Sequence, residues 1–433
     1  MTSVLLCSTP VHGHVTPLLA ITRHLVDRGH DVRFLTGARY RPAVEALGAT
    51  WLPLPGAADF DDTDIDGAFP GRVGLRGVKS AQWDLRNIFL EPAPAQLAAI
   101  DEAIANAPVD IVLTESLFFG AMLLLGRPPA QRPPVGILGI VPLPLASRDT
   151  APYGLGIPPR PGALGRLRNR VLTLSTERFV FGDLHRAAER LLEQSGGLPL
   201  TTHVMNYQSA ADAIVQFTVP EFEYPRDDVR VPVHFVGPVS RSGPSAVDVE
   251  LPEWWDDLDS GRPVVHVTQG TVANADLDAL VFPTIDALAD LDVLVVATTG
   301  GRDIPGRPLP ANARIARYLP YDRLLPRTAV FVTNGGYGGV HYALEHGVPI
   351  LATGDTEDKA EVSARVEWSG AGIRLKAGAK GLTPSALRAA VQRLLAEESF
   401  RANARRIGEA IAASPGPAGL DAVIESVRAE VRR

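Results

Sequence analysis

Residues 329–352 have the sequence AVFVTNGGYGGVHYALEHGVPILA, which contains the motif that decides the fold. The apolar run 329–333 predicts a buried strand, 340–346 predicts a short helix, and 348–352 predicts the next strand. The loop between the first strand and the helix contains four glycines. Backbone N–H groups in such a loop, together with the positive end of the helix, attract phosphate. The stretch therefore predicts a βαβ unit that binds a phosphate or pyrophosphate.

The same alternation of strands and helices recurs along the whole chain. Strands are predicted at 4–7, 31–36, 50–54, 109–114, 135–141, 264–268, 293–298 and 313–317. Helices are predicted at 17–28 (with Thr16 as N-cap and Pro17 first), 41–47, 95–106, 166–194, 276–289 and 418–431. Strands that alternate with helices indicate right-handed βαβ units on parallel sheets, so we predict an α/β fold with two doubly wound domains.

The length of 433 residues also predicts two domains, because single cores stop growing at roughly 250–300 residues. Proline-rich, extended sequence between Thr218 and Pro252 suits a linker. We predict an N-terminal Rossmann-like domain at 1–218, an interdomain linker at 219–252, a C-terminal Rossmann-like domain at 253–415, and a final helix at 416–433 that packs back toward the N-terminal domain.

The composition limits the compartment and the partners. A net charge of −7 argues against nucleic acid as a general partner. Cys7 is the single cysteine of the chain, which excludes an internal disulfide and a cysteine-rich metal site. The N-terminus has no signal-peptide pattern and no apolar stretch is long enough to span a bilayer. We expect a cytoplasmic protein without membrane insertion, as a monomer or homodimer.

His12 and His14 lie in the loop predicted after the first strand, where parallel sheets place their sites. A metal would need a third ligand at suitable spacing, and none is present, so we favour His14 as a general base. The positive end of the next helix disfavours imidazolium. Glu115 follows strand 109–114 at its carboxyl end and is the expected partner of the ring, whereas Asp110 should lie at the opposite rim.

Three further polar segments were considered. Residues 268–271, Thr-Gln-Gly-Thr, follow a predicted strand, as many βα loops do. Residues 355–359, Asp-Thr-Glu-Asp-Lys, could hydrogen-bond a polyhydroxylated ligand or cap the next helix. Residues 61–66, which contain four aspartates, have no strand before them. We interpret them as a solvated mobile loop rather than a metal site.

Taken together, these motifs resemble the bacterial family 1 glycosyltransferases of the natural-product, macrolide-type group. Their GT-B fold has two tandem Rossmann-like domains facing a central cleft. The resemblance covers nearly the whole chain and is strongest at 333–375, which contains TNGGYGGV, GVPI, TEDK and SGAGIRL in order. The segment 11–18, VHGHVTPL, is also typical. The resemblance implies an enzyme of secondary metabolism and antibiotic biosynthesis that transfers a sugar from a nucleotide sugar.

The resemblance also implies roles for individual residues. His14 matches the base that deprotonates the acceptor hydroxyl, and Glu115 matches its partner carboxylate, where the family more often has Asp. Asp358 and Lys359 match the Asp-Gln pair that holds the donor sugar. The other implied donor-binding residues flank the nucleotide base or the phosphates: Gln269, Gly270, Thr271, Tyr318, Leu319, Asn334, Gly335, Gly336, Tyr337, Gly338 and Gly339.

Three positions depart from the family pattern. Asn334 stands where the phosphate loop usually has His, and it can donate a hydrogen bond but carries no positive charge. Gly339 and Val340 replace the Ser or Thr that commonly ends the loop. Lys359 replaces Gln. These changes leave the reaction class intact and bear on which donor is used.

The predicted reaction is an inverting transfer from a UDP- or dTDP-sugar to a hydroxyl of a small apolar or aromatic acceptor, with no metal or other cofactor. The predicted acceptor residues are His12, Phe60, Trp83, Phe118 and Phe119, with the 140–160 loop. His12 could instead only cap its loop, and each aromatic could equally be an ordinary core residue.

Three alternative functions were weighed. A GT-B sugar-nucleotide epimerase or hydrolase would share the donor half and need no acceptor cleft. A non-catalytic sugar-nucleotide-binding partner protein would bind without turnover. A nicotinamide dehydrogenase is disfavoured because no Gly-x-Gly-x-x-Gly follows the first strand.

Overall fold

The computed structural model describes residues 1–239, 250–271, 274, 276–304, 306–356, 358–376 and 381–431, with only the backbone for 430 and 431. The central part of the predicted linker, 240–249, and Glu357 of the 355–359 segment lie outside the described residues.

The described residues form two sheets in which every strand pair is parallel. The strands are β1 Ser3–Cys7, β2 Asp31–Thr36, β3 Thr50–Pro53, β4 Ile111–Glu115, β5 Val135–Gly139, β6 Ala213–Gln216, β7 Val233–Phe235, β8 Val264–Thr268, β9 Leu294–Thr298, β10 Ala313–Ala316, β11 Thr328–Thr333, β12 Ile350–Ala352 and β13 Gly372–Arg374. The first sheet has the order β3-β2-β1-β4-β5-β6-β7 and the second β10-β9-β8-β11-β12-β13. The predicted α/β class with two doubly wound units is confirmed.

The helices flank both sheets. They are α1 His12–Asp27, α2 Arg41–Glu45, α3 Ile65–Ala68, α4 Val78–Asp84, α5 Ala93–Asn106, α6 Gly120–Leu125, α7 Gly162–Ser175, α8 Gly182–Gln194, α9 Val281–Ala287, α10 Tyr321–Leu324, α11 Tyr337–Glu345, α12 Lys359–Trp368, α13 Pro384–Ala396, α14 Glu398–Ala413 and α15 Pro417–Val431. Two π-helical segments, Leu85–Leu90 and Thr176–Val180, follow α4 and α7 directly. The second of them divides the helical stretch predicted at 166–194.

The first sheet is buried on both faces, as its continuous apolar strands predict. Leu18 of α1 and Ile424 of α15 join Val4 and Leu6 of β1 in one core cluster. Leu5 and Cys7 of the same strand join a second cluster with α5, α6 and α8 on the other face. The last helix therefore packs against the first sheet. Burial, followed by the nearby Glu115 carboxylate, raises the pKa of the Cys7 thiol, so this cysteine is an apolar core residue.

The two helices that follow the His12–His14 and glycine motifs, α1 and α11, begin earlier than predicted, and each includes part of its motif in the first turn. Helix α1 begins at His12, and its N-cap is Val11 rather than Thr16. Because Val11 provides no side-chain cap, the Asp62 carboxylate takes that role and accepts the His12 N–H at 2.6 Å. Helix α11 begins at Tyr337 rather than Val340, so its first turn includes two of the glycines. Glycine is a poor helix former in general, so the sequence did not indicate a helix at these positions, although glycine has no side chain that would obstruct the turn.

The interpretation of 61–66 as a solvated mobile loop is wrong at Asp62. Its side chain is only 6% exposed, and it accepts hydrogen bonds from the Tyr40 hydroxyl at 2.9 Å and from the first turn of α1. Asp61 and Asp64 cap the short helical turns that begin after them. The local sequence gives no sign of this because the partners are 22 and 50 residues away.

The segment predicted as a linker is part of both halves of the molecule. Val219 and Phe222 pack in the core of the second half with Val340 and Leu344. Strand β7 then returns to the first sheet and pairs with β6. Residues 219–235 are therefore not a free linker, because their apolar side chains and backbone complete the two neighbouring cores.

The carboxyl edges of the two sheets face each other. The amide of Gln216, the last residue of β6, donates to the hydroxyl of Tyr337, the first residue of α11, at 3.2 Å. The Thr218 hydroxyl lies 2.7 Å from Nε2 of His341 in the same helix. These contacts place the loops after the strands of both sheets around a common cleft, where open α/β sheets bind ligands. None of the described helices combines the length and apolarity needed to cross a membrane.

Candidate active site

His14, which is half-buried, and Glu115, which is buried, form a pair at the carboxyl edge of the first sheet. His14 lies in the first turn of α1, and Glu115 is the last residue of β4. The His14 Nδ1 is 3.0 Å from the Glu115 Oε2, with side chains 15% and 0% exposed. The structure therefore brings together the two residues that the sequence predicted as a base and its partner, because α1 follows β1 and β1 is adjacent to β4.

Glu115 is held in its charged form. Full burial alone would favour the neutral acid, but His14 and the backbone N–H groups of Leu117 and Thr9 outweigh it and lower the pKa of Glu115. The Leu117 N–H donates at 2.6 Å and the Thr9 N–H at 3.3 Å. A fixed carboxylate at Nδ1 orients the His14 ring and leaves Nε2 as the nitrogen that can accept a proton.

Phe89 is a neighbour of His14 that the sequence did not reveal. Its ring stacks on the imidazole with a centroid distance of 5.7 Å and an interplanar angle of 25°. Phe89 belongs to the π-helical segment Leu85–Leu90, and such segments are frequent at functional sites. A helical periodicity of 3.6 gives a different side-chain direction from a π-helix, so the sequence pattern could not place this ring.

The predicted acceptor residues divide into two groups. Phe60 and Trp83 are half-buried and joined through Phe69, with ring centroids 4.9 Å and 6.1 Å from it. Phe118 and Phe119 are fully buried in the core of the first half, and Phe119 packs on Tyr207 at 5.2 Å. The acceptor assignment of Phe118 and Phe119 is therefore wrong, because neither ring reaches a surface. His12 is half-buried, and its ring lies 3.4 Å from the Thr16 hydroxyl.

The glycine loop lies between β11 and α11 and has two kinds of glycine. Gly335 has a positive φ of +87°, and a Cβ there would come within 2.9 Å of the Ser363 hydroxyl. Gly336 caps α11. Gly338 and Gly339 lie in the first turn, and a Cβ on Gly338 would meet no atom within 4 Å. Gly335 is therefore needed by the fold. Gly338 instead leaves open space beside the helix N-terminus, where a diphosphate can approach.

Asn334 links the loop after β11 to the loop after β8. Its amide donates to the Gln269 carbonyl at 2.6 Å. Gln269 is itself buried, and its amide donates to the Asp276 carbonyl at 2.9 Å. Gly270 has a φ of +72°, and the next residue, Thr271, is exposed. Asn334 and Gln269 thus hold the loops after β8 and β11 together. Thr271 and Gly338 are the exposed residues nearby.

Three of the predicted donor residues have their side chains engaged elsewhere. Tyr318 is 55% exposed, and its hydroxyl donates to the Gly300 carbonyl at 3.1 Å. Leu319 is buried beneath the second sheet. The Tyr337 ring is buried against Gln216 and His341 at the contact between the two halves. Leu319 and Tyr337 can therefore reach a donor only through their backbone.

Asp358 and Lys359 begin α12 beside the glycine loop. The Cβ of Lys359 would be 3.8 Å from a Cβ on Gly335. Tyr153 belongs to the first half of the chain. Burial, followed by the Asp358 and Glu361 carboxylates of the second half, raises the pKa of Tyr153. The predicted 140–160 loop thus reaches the donor half. Among the described residues, no group of three or more His, Cys, Asp or Glu side chains could hold a metal ion.

Comparisons with known proteins agree with this architecture. The profile described as "Erythromycin biosynthesis protein CIII-like, C-terminal domain" matches residues 283–427. The chain is 44% identical to 4'-demethylrebeccamycin synthase of Lentzea aerocolonigenes over 98% of this chain and 97% of that protein. It is 32% identical to UDP-glycosyltransferase 2 of Phaeomoniella chlamydospora over 93% and 91%. The crystal structure of the calicheamicin glycosyltransferase CalG4 superposes with a TM-score of 0.75 at 24% identity over 98% of both chains.

The superposition on CalG4 shows that the two sheets form a GT-B fold. The sequence relatives define the class as glycosyltransferases. At 44% identity over nearly its full length, the chain belongs to the bacterial family 1 glycosyltransferases of the natural-product group. The family assignment and the enzyme class predicted from the sequence are confirmed.

Proposed function

We propose that this enzyme is an inverting glycosyltransferase that moves a sugar from a UDP- or dTDP-sugar to a hydroxyl of a small apolar or aromatic natural product. The observation that carries the proposal is the His14–Glu115 pair at 3.0 Å, on the carboxyl edge that faces the glycine loop. A base on one side of the cleft and a diphosphate site on the other are what direct displacement at a sugar carbon requires.

His14 acts as the general base. Its Nδ1–H donates to Glu115, so the lone pair on Nε2 takes the proton of the acceptor hydroxyl as the oxygen attacks the anomeric carbon. The buried carboxylate then stabilises the imidazolium that forms. Attack opposite the leaving group inverts the anomeric carbon, so an α-linked donor yields a β-glycoside.

The nucleoside diphosphate leaves toward the glycine loop. Backbone N–H groups at Gly336–Gly339 and the positive end of the nine-residue helix α11 stabilise its developing charge. Lys359 begins beside Gly335 and adds positive charge in place of the family's usual Gln. These groups support the proposal that no metal or other cofactor takes part, which activity in the presence of excess EDTA would test.

The ligand classes rest on the relatives and on the first half of the structure. The name of the 32%-identical relative supports UDP as the nucleotide, and dTDP is the second candidate. The name of the 44%-identical relative supports a natural-product acceptor and a role in antibiotic biosynthesis. The half-buried chain Phe60–Phe69–Trp83 and the ring of Phe89 favour a flat aromatic or apolar acceptor.

The test has two parts. Thermal shift with a panel of UDP- and dTDP-sugars identifies the donor, and mass spectrometry with a panel of hydroxylated aromatic aglycones identifies the product. His14→Ala should then lower kcat by about 10²–10⁴-fold while UDP or dTDP affinity by calorimetry is unchanged. Transfer by His14→Ala within a few-fold of wild type would show that the base is another group.

The alternatives, a sugar-nucleotide epimerase or hydrolase and a non-catalytic binding partner, are not favoured by the relatives, which carry glycosyltransferase or synthase names. Incubation with nucleotide sugars alone separates these alternatives from a transferase. Epimer formation or rapid hydrolysis without acceptor would support the first, and binding without turnover on any acceptor would support the second.

A further inference from the structure

Four buried charged side chains join the two halves of the molecule at α12. Arg365 of α12 donates through Nη2 to Glu223 Oε1 at 2.6 Å and through Nη1 to Glu361 Oε2 at 2.8 Å. Arg226 Nη1 lies 3.1 Å from the same oxygen of Glu223. All four side chains are at most 6% exposed. Two carboxylates balance two guanidinium groups, which is the condition under which buried charges are tolerated.

Glu361 has a second set of contacts that this charge balance does not require. Its Oε1 accepts the backbone N–H groups of Gly154 at 3.0 Å and Gly156 at 2.8 Å, both in the first half of the chain. Arg374 Nη1 donates to the Gly156 carbonyl at 2.5 Å. A Cβ on Gly156 would lie 2.6 Å from the Ala360 carbonyl oxygen, so the backbone here packs directly on α12. Residues 152–156, the 152–156 loop, are thus tied to the second half from both sides.

The 152–156 loop stands between a cavity and the start of α12. Pro152 and Tyr153 line a cavity of about 50 Å³ that is open to solvent, together with Glu177, Phe181 and His203. Asp358, the residue before Lys359 and α12, contributes after burial to the raised pKa of Tyr153. One short loop therefore forms a cavity wall and packs on α12, the helix that begins at Lys359, one of the proposed donor-sugar residues.

We propose that Glu361 and Arg374 are positioning residues that hold the 152–156 loop in register with Asp358 and Lys359, so that an acceptor bound against this loop meets the donor sugar. This inference rests on the proposed function for the identity of the two ligands. Tethering the loop in advance removes an ordering cost that acceptor binding would otherwise bear. The glycine loop precedes α11, whereas Glu361 and Arg374 lie on α12 and β13, so we expect nucleotide affinity to change little when the tether is removed.

Hydrogen–deuterium exchange of peptides covering 150–158 measures the tether directly. Glu361→Ala and Arg374→Ala should each speed amide exchange there by at least about ten-fold, whereas Glu367→Ala should not, because Glu367 is exposed on the same helix. The combined Glu361→Ala/Arg374→Ala variant should exchange little faster than the stronger single variant, because both residues act on one loop. Arg374→Ala leaves the four-charge cluster intact and keeps the test valid if Glu361→Ala fails to fold.

Kinetics separate positioning from a structural role. Arg374→Ala should raise the KM for the aglycone found in the product screen by about ten-fold and change kcat less, with UDP or dTDP affinity within two-fold of wild type. A lowered melting temperature without this split, or unchanged exchange at 150–158 in both single variants, would overturn the inference. Exchange and nucleotide affinity need no turnover. An absence of transfer by the wild type would therefore contradict the proposed function. The exchange data would still test whether Glu361 and Arg374 hold the 152–156 loop.

Discussion

The Nδ1 of His14 lies 3.0 Å from Oε2 of Glu115, although 101 positions separate the two residues in the chain. The contact arises because β1 and β4 are adjacent and parallel, so the turn after one strand and the end of the other meet at the same edge. Two backbone N–H groups hold Glu115 from the other side, and Phe89 covers one face of the imidazole. The ring of His14 is therefore fixed in direction before any substrate binds.

Glu115→Gln should lower kcat strongly and leave donor affinity unchanged. The amide keeps the size of the side chain but cannot stabilise an imidazolium, so we expect a fall of about 10²–10⁴-fold in kcat. Steady-state kinetics and calorimetry with UDP or dTDP measure the two effects. Asp110→Asn, just before the opposite end of the same strand, is the matched control, and an equal loss of kcat there would contradict the assignment.

Gly338→Asp should separate nucleotide binding from folding. A carboxylate in the first turn of α11 stabilises the helix by about 0.3–1 kcal/mol, but it also repels a diphosphate at that terminus. Since a Cβ at Gly338 meets no atom within 4 Å, we expect an unchanged or raised melting temperature with UDP or dTDP affinity at least about ten-fold weaker. Gly335→Ala should instead lower the melting temperature, because its φ is +87°. Full nucleotide affinity in Gly338→Asp would place the diphosphate elsewhere.

Phe119 and Phe89 should respond differently to truncation. Phe119 is 1% exposed, so Phe119→Ala should cost about 3–5 kcal/mol of unfolding free energy, measured in urea. Phe89→Leu keeps an apolar side chain and removes the stacked ring, which is worth about 0.5–1.5 kcal/mol, so kcat should fall by up to about ten-fold. Stability of Phe119→Ala close to wild type, with altered acceptor preference, would restore the original acceptor assignment.

His341 should make the protein less stable in mild acid. Burial lowers the pKa of His341 from 6.5 to about 4, and the hydrogen bond to the Tyr337 carbonyl opposes this shift only in part. Between these two values the unfolded chain binds a proton that the folded one does not, so stability falls as the pH drops and is constant above 6.5. The loss should reach about 2 kcal/mol by pH 5.

Urea unfolding at pH 7.5, 6.0 and 5.0 measures this dependence. His341→Gln removes the titrating ring and should flatten the curve by up to one proton. His266, whose pKa burial also lowers to about 4, remains in that variant and keeps part of the slope. Identical slopes in wild type and His341→Gln would show that His341 does not carry the effect.

The sequence predicted the strands well because their apolar runs are local signals. Asp31–Thr36 and Val264–Thr268 begin and end where predicted. Strands β6 and β7 were not predicted as strands, since short segments amid proline-rich sequence have no periodic pattern. The sequence missed the start of α1 at His12 because its cap, Asp62, is 50 residues away. It missed the start of α11 at Tyr337 because the first turn contains glycine, which does not indicate a helix.

The assignment of side chains to a site was partly within reach of the sequence. His14 and Glu115 follow strands whose carboxyl ends must share an edge, so their meeting was predictable from topology alone. Whether Phe60 or Phe119 reaches a surface was not, because apolar character is the same for a core residue and a cleft residue. Phe89, Tyr153 and Glu361 carried no signal, since their partners are set by a π-helical turn and by contacts between the two halves.

By itself, the sequence determined the fold class and the enzyme class, and it predicted the class of ligand and the chemistry. A glycine loop between a strand and a helix exposes backbone donors wherever it folds, and a histidine after the first strand lies at the binding edge of any parallel sheet. Only the tertiary structure decided how the two halves meet. Gln216 binds Tyr337, and Glu361 binds the 152–156 loop, through pairs more than 100 residues apart. Such contacts depend on the relative placement of two complete sheets, which no local pattern encodes.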